Sequence, residues 1–279
     1  MSGQPLPAPP VDFQGEKLKA YLRCVQYEQH GIKENNNIDG LSTAVAARVV
    51  GLMLLHLPSV DGITRTVTVI NGIFSENTFM HLPLYQRQDA VSDEMDEMAN
   101  STIYIPTLAL KRENFRCALD PSIIEYRRGL VEPPPPSDLL RCMESCWILP
   151  PLTNLTEEEK TMWYGDAEMR SVIYGTGIER MRNTMLLEAN ASFWFGELYM
   201  WLEPEDKAYR VCSTFQSILG RYPDKIKFNT SAFADDEKTP LPPPDPKVLA
   251  AHAGYARVVN LSGVREYIKE IAPETAWVR

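Results

Sequence analysis

The 22 prolines of this chain are clustered, and the clusters set where regular structure can form. Proline has a fixed φ and no backbone N–H, so helix interiors and central strands exclude it. Four prolines fall in residues 1–12, four run consecutively as Pro133–Pro136, and five fall in the seven residues Pro240–Pro246. They divide the chain into an N-terminal arm (1–12), an N-terminal part of the core (13–132), a polyproline spacer (133–136), a helical core (137–228) and an acidic, proline-rich tether with a docking arm (229–279). The expected fold class is mainly α with a small β-hairpin or sheet element, a helical core between extended proline-rich arms.

Two helices are expected before residue 60. Leu18, Leu22 and Val25 share a stripe with Tyr21, which predicts an amphipathic helix over 14–30, ended by Gly31 and the polar run Lys33–Asn37. Asp39 can cap a second helix from Leu41 to Leu57, stopped by Pro58. Val45, Val49, Val50, Leu52, Met53, Leu54 and Leu55 leave that helix no polar face, so it is buried all round or crosses a membrane. A run of about 17 residues is at the lower limit for crossing. It also holds Arg48 and His56, so burial in a protein core is the better reading, with no membrane partner. Arg48 then needs a carboxylate or several carbonyls as partners.

Farther on, Thr64–Ile70 followed by Asn71-Gly72 and Ile73-Phe74 signals a hairpin. Gln86–Asn100 reads as a short exposed helix, and Ser101–Leu110 as a strand that Pro106 pushes toward an edge or a bulge. Thr156 and Glu159 form a capping box, so a helix should start near Glu157. A second helix is expected over Ile178–Leu202, carrying Met185, Leu186, Phe193, Trp194, Phe195, Leu198, Met200 and Trp201 at the molecule's centre or at an interface. Pro204 would open a third, closed by Gly220 and Pro223. A last helix is expected at Gly263–Ile271. The segment Lys247–Arg279 is too short to bury a core alone, so it should dock on its own core or on a neighbouring subunit.

The net charge of -9 argues against a surface devoted wholly to neutralising phosphates. A local basic groove is still open. Its candidate nucleic-acid contacts are Lys111, Arg112, Arg116, Arg127, Arg128, Arg170, Arg180 and Arg182, with Tyr126, Tyr164 and Tyr174 placed to stack on bases. The competing reading is an ordinary salt-bridged surface. The N-terminus has no basic or apolar region of a secretory signal, so the sequons at Asn100, Asn154, Asn190, Asn229 and Asn260 should be unmodified. Cys24, Cys117, Cys142, Cys146 and Cys212 form an odd, scattered set and read as free thiols of a reducing compartment, cytoplasmic or, for a viral chain, virion.

Groupings that could carry chemistry each have a plainer reading. Asp93-Glu94-Met95-Asp96-Glu97 could hold a metal, but without apolar neighbours it reads as a solvated face. Cys142 and Cys146 would share a face of a helix over Leu139–Trp147 and could form half a zinc site, yet no second half exists. Glu188 and Glu197 could act as an acid–base pair, or could pair structurally with Arg180 and Arg182. No nucleophile elbow, phosphate loop, dinucleotide fingerprint or HExxH occurs, so no catalytic residue, metal or cofactor is assigned.

The leading functional expectation is therefore a non-enzymatic, self-assembling structural protein of the coat or nucleocapsid kind. It would be a homo-oligomer with arms exchanged between subunits and local RNA contacts. Its assembly anchors would be Tyr255, Val258, Val259, Tyr267, Ile268 and Trp277. One alternative is a helical enzyme or small-molecule binder with a pocket among Trp163, Phe193, Trp194, Met200 and Trp201. Another is an adaptor that presents its proline tracts to SH3-like or WW-like partners.

Overall fold

The computed structural model describes residues 3–34, 37–38, 41–56, 105–125, 139–151, 156–164, 167–175, 177–230, 232–233 and 239–266. The expected hairpin at 64–74, the exposed helix at 86–100, the acidic run at 93–97 and the polyproline spacer lie outside these residues. The architecture is mainly helical with minor β. The chain divides into two compact units, one formed by Met1–Gln86, Glu157–Asp166 and Ala253–Arg279, the other by Arg87–Thr156 and Ala167–His252.

In the first unit, α1 (Gly15–Glu34) and α2 (Thr43–His56) pack together through Tyr21, Cys24, Val50 and Leu54, with Phe13 at the edge. Gly31 does not end α1. It lies within the helix, and a Cβ there would sit 2.5 Å from the Ala44 backbone nitrogen, so glycine is what lets α2 begin so close. Between the helices, β1 (Asn37–Ile38) pairs antiparallel with β2 (Leu41–Ser42). All residues from Thr43 to Leu52 are buried, as an apolar helix without a polar face requires. Arg48 finds its carboxylate on α1, where Glu28 Oε1 accepts from Nε at 2.6 Å with both side chains buried. The unit also holds α4 (Glu157–Tyr164), which begins where the capping box places it.

In the second unit, α3 (Ile105–Arg112) replaces the strand expected at Ser101–Leu110. Pro106 occupies its first turn, where a missing N–H costs nothing because that donor has no helical acceptor. The short β3 (Ile123–Glu125) and β4 (Leu139–Arg141) pair in parallel. β5 (Met143–Trp147) pairs antiparallel with β6 (Thr184–Glu188), Cys146 opposite Met185. Strands therefore stand over 139–147, and the helix that would have put Cys142 and Cys146 on one face is not formed. The long helix expected over Ile178–Leu202 is also corrected. In its place come a 3₁₀ turn (Gly177–Asn183), β6, the short α6 (Ala189–Gly196) and the start of β7. Every residue of β6 is buried, so it lacks the alternation that distinguishes a strand from a buried helix in sequence.

Pro204 lies in a strand instead of opening a helix. β7 (Met200–Glu205) and β8 (Ala208–Ser213) form a hairpin, with β9 (Lys225–Ile226) beyond β8. β7 is the edge of this sheet, where a proline breaks no ladder. Asp206 turns the hairpin at φ 56°. α5 (Ala167–Ile173) and the one-turn α7 (Gln216–Leu219) complete the unit's short helices.

The proline-rich segment before the last helix is held along its length. The Leu241 N–H donates to the Ala232 carbonyl, and the Leu241 side chain is buried among Ile105, Leu108, Met181 and Leu186. Asp245 then caps α8 (Pro246–Ser262), accepting from the Lys247 N–H at 2.8 Å. Pro246 fills the first helical position. This helix was not expected from the sequence; Gly263, at φ 85°, follows its end, and Val264–Glu266 are helical where a helix over Gly263–Ile271 was expected, the rest of which lies outside the described residues. Asp-Pro at residues 245–246 was the start signal.

Candidate functional site

The N-terminal arm runs as an extended strap across the first unit, held mostly by main-chain bonds. Gly3 takes φ 104°, and a Cβ there would lie 2.6 Å from the Ser262 carbonyl oxygen, so only glycine fits. The Gln4 N–H donates to the Leu261 carbonyl at 2.8 Å. The Leu6 N–H donates to Glu28 at 3.1 Å, so the carboxylate that pairs Arg48 also holds the strap. The Leu6 side chain fills the space that Gly51 leaves open on α2, where a Cβ would come within 2.7 Å of its methyls. The Tyr21 hydroxyl donates to the Pro7 carbonyl at 2.9 Å, and burial pushes that phenol up to about 12. The strap ends in a turn in which the Phe13 N–H donates to the Pro10 carbonyl and Phe13 meets the Tyr21 ring edge-on. Val11, at that turn, is fully exposed.

Among the described candidate RNA contacts, several are ties within the protein. Arg112 is wholly buried. Its Nε donates to Glu113 at 2.7 Å, Nη1 to the carbonyls of Met181 at 2.7 Å and Pro242 at 3.1 Å, and Nη2 to that of Thr184 at 2.7 Å. Burial lowers the Arg112 pKa and raises that of Glu113, while each opposes the shift by favouring the other's charge. Arg182 is paired with Asp245 and lies 3.5 Å from Glu179. Arg180 donates to the Gly175 carbonyl at 2.6 Å and lies over the Trp147 ring. These three arginines gather around the 3₁₀ turn and act as internal ties. Arg116 donates to the Pro121 carbonyl. Lys111 on α3 and Arg170 on α5 are half-buried, and Arg127 and Arg128 lie outside the described residues.

The expected assembly anchors sort differently. Tyr255, Val258 and Val259 are buried on α8 and offer no surface to a neighbour. Tyr267, Ile268 and Trp277 lie outside the described residues.

Glu188 and Glu197 sit at opposite ends of α6, nine residues apart, which separates them by about 13 Å of helix rise. That exceeds the spacing at which two carboxyls work on one bond, roughly 5–9.5 Å in glycosidases. Glu188 is the N-cap of α6, accepting from the N–H groups of Asn190 at 3.1 Å and Ala191 at 3.0 Å. It also accepts from the Tyr222 hydroxyl at 2.6 Å, and burial together with this carboxylate raises the Tyr222 pKa. Its partners are therefore backbone donors, the Asn190 side-chain amide and a phenol, where the arginines Arg180 and Arg182 were expected. Cys142 is exposed and Cys146 is buried on β5, with its thiol pushed up to about 12 by burial. Four residues of strand put them about 13 Å apart, too far to share a metal. Among the described residues no group of His, Cys, Asp and Glu could hold a metal ion.

Of the residues of the expected pocket, the Trp163 side chain lies outside the described residues. Met200 is fully buried, Trp201 donates its indole N–H to Glu203 at 2.9 Å, and Trp194 meets Tyr222 edge-on beneath Arg221. A feature that sequence did not single out is His252, which stacks on Phe195 with ring centroids 3.8 Å apart. Its Nε2 lies 3.1 Å from the Phe195 carbonyl, and its Nδ1 has no hydrogen-bond partner among the described residues. Burial lowers its pKa to about 4, so the ring is neutral and Nε2 carries the donated proton. Among the sequons, the Asn229 amide donates to the Arg112 carbonyl and Asn260 lies inside α8, donating to Ala256.

Compared with family models, curated proteins and solved structures, the chain has no significant match. Among the described residues no helix is long and apolar enough to cross a membrane. Any functional reading therefore rests on the chain's own geometry, and the strap with its docking surface is the most developed feature of that geometry.

Proposed function

We propose that this chain is a self-assembling structural protein of the coat or nucleocapsid kind, whose N-terminal strap is exchanged between subunits of an assembly in the cytoplasm or a virion. The observation that carries the reading is how the strap is held. Its ties are main-chain bonds to Glu28, to the Tyr21 hydroxyl and to the end of α8, plus one side chain, Leu6, against Gly51. The same ties form whether the strap comes from its own chain or from an identical neighbour, which makes exchange a low-cost route to oligomers. A turn at Val11–Asp12 and Gly15 at φ 56° separate strap from helix, so a hinge there would let the arm leave its own chain and re-form the same docking bonds on a neighbour. Prolines lower the entropic cost of holding an extended arm in either place.

The test is light scattering of the full chain after size exclusion, with a crosslink that reports where each strap lies. Leu6→Cys with Gly51→Cys puts a thiol on each side of the strap contact. Oligomers that become covalent ladders on a non-reducing gel are the expected result. A strict monomer at high concentration, crosslinked only within itself, would overturn the proposal.

A further inference from the structure

A short motif occurs twice in this chain, and both copies dock in the same manner. Pro5-Leu6-Pro7 and Pro240-Leu241-Pro242 each place a leucine between two prolines. A residue before proline is confined to extended backbone, and proline has its φ already set. The leucine N–H is then the one main-chain donor of the motif. The Leu6 N–H donates to Glu28 at 3.1 Å, and the Leu241 N–H to the Ala232 carbonyl at 2.9 Å. In both copies the carbonyl of the following proline accepts from a buried side chain. Pro7 accepts from the Tyr21 hydroxyl at 2.9 Å, and Pro242 from Arg112 Nη1 at 3.1 Å. Between these bonds the leucine side chain packs on an apolar cluster, Leu6 on that of α1 and α2, Leu241 on Ile105, Leu108, Met181 and Leu186.

The two copies differ in closure. Leu241 is fully buried, with the wholly buried Arg112 on its neighbour's carbonyl, so that copy is fixed inside its unit. Leu6 is half-buried, and Pro5, Pro7 and Ala8 around it are exposed, so the first copy lies at the surface. We infer that the groove lined by Tyr21, Glu28 and Gly51 is a recognition site for extended Pro-Leu-Pro segments of a partner protein, with the chain's own strap as its resident occupant. The groove reads three things: one N–H at the Glu28 carboxylate, one carbonyl at the Tyr21 hydroxyl, and one side chain in the notch that Gly51 leaves open. Tyr21 and Glu28 are seven residues apart on α1, two turns along one face. A proline-rich ligand is already extended before it binds, so little chain entropy opposes its capture. The inference does not rest on strap exchange, because a strict monomer carries the same groove.

The experiment uses the full chain and a fluorescein-labelled peptide with the sequence of Gly3–Pro10, followed by anisotropy. In the parent the attached strap competes at an effective concentration on the order of 1 mM, so the peptide binds weakly. Leu6→Ala in the chain removes the anchor of the resident strap. Half of a leucine's burial is worth about fivefold in affinity, and the peptide should bind that variant more tightly by this factor. Gly51→Ala also displaces the strap but fills the notch, so it should bind the peptide no better than the parent. Circular dichroism of both variants should match the parent. A peptide carrying Leu6→Ala should bind none of the three chains. Absence of binding to the Leu6→Ala chain at about 1 mM peptide, equal binding of the alanine peptide, or an equal gain in the Gly51→Ala chain would each overturn the inference. Light scattering reads assembly separately, so the two proposals fail independently.

Discussion

Replacing Arg112 decides whether that guanidinium is an internal tie or a ligand for phosphate. In Arg112→Met, four hydrogen bonds disappear from a site with no solvent access, leaving the Glu113 carboxylate and the carbonyls of Met181, Thr184 and Pro242 without their donor. Removing one partner of a buried ion pair typically costs about 3–5 kcal/mol, because the other charge is left uncompensated. Domains are stable by only about 5–15 kcal/mol. A loss of about 4 kcal/mol would therefore shift a urea transition, followed by tryptophan fluorescence, far toward low denaturant. Arg112→Lys should recover only part of it, since an ammonium cannot reach acceptors arranged around a planar fork. Arg112→Met with Glu113→Leu should recover more than half, because removing both partners leaves no buried charge. A loss below about 1 kcal/mol for Arg112→Met, coupled with weaker RNA binding, would refute the burial argument and make Arg112 a surface contact.

Three further outcomes follow from named contacts. The His252 pKa is depressed from 6.5 to about 4, so its contribution to stability is complete above pH 6.5 and is lost as pH falls toward 4. At 1.36 kcal/mol per unit this amounts to about 2.5 kcal/mol between pH 7 and 4.5, which His252→Phe should abolish in paired urea titrations. Tyr222→Phe takes the hydroxyl donor from the buried Glu188 carboxylate and should cost about 1.5–3 kcal/mol, read from the same titrations. Gly31→Ala drives a Cβ to within 2.5 Å of the Ala44 nitrogen, and should lower stability by about 1–3 kcal/mol in thermal melts by circular dichroism.

What the sequence makes legible depends on whether an element leaves one face to solvent. α1 does, and its apolar spacing marks it as a helix, although Leu22 is exposed and Ala20, Tyr21 and Cys24 make the buried face. α2 does not, but its length and the need of Arg48 for a partner still identified it as a buried helix. The partner itself, Glu28, lies 20 residues away and could not be chosen from sequence. β6 failed on both counts. Its five residues are all buried, and Met185, Leu186 and Leu187 favour helices intrinsically, so pairing with β5 had to override propensity. Arg112 escaped notice for a related reason: an arginine reads alike in sequence whether it faces water or, as here, donates to carbonyls inside the protein.

Proline misled wherever its two permitted settings look alike in one dimension. In sequence Pro106 reads as an edge or bulge of a strand and it stands in a first helical turn, while Pro204 reads as a helix start and stands in an edge strand. In both settings the residue sits where no backbone N–H is required, which is the one property that proline dictates. The same reasoning applies to the strap. Pro5, Pro7, Pro9 and Pro10 leave few N–H groups in residues 3–10, and those of Gln4 and Leu6 are satisfied by the Leu261 carbonyl and the Glu28 carboxylate. A strap with so few donors is specified by where those two point, by the Tyr21 hydroxyl on the Pro7 carbonyl and by the packing of Leu6 against Gly51 and the α1–α2 core. Gly51→Ala should therefore displace the strap while leaving the α1–α2 contact through Tyr21, Cys24, Val50 and Leu54 in place. Limited proteolysis within residues 3–12 should then speed up at least tenfold, with α2 still protected. If strap cleavage were unchanged, Leu6 would not be its anchor, and exchange between subunits would need a different docking contact.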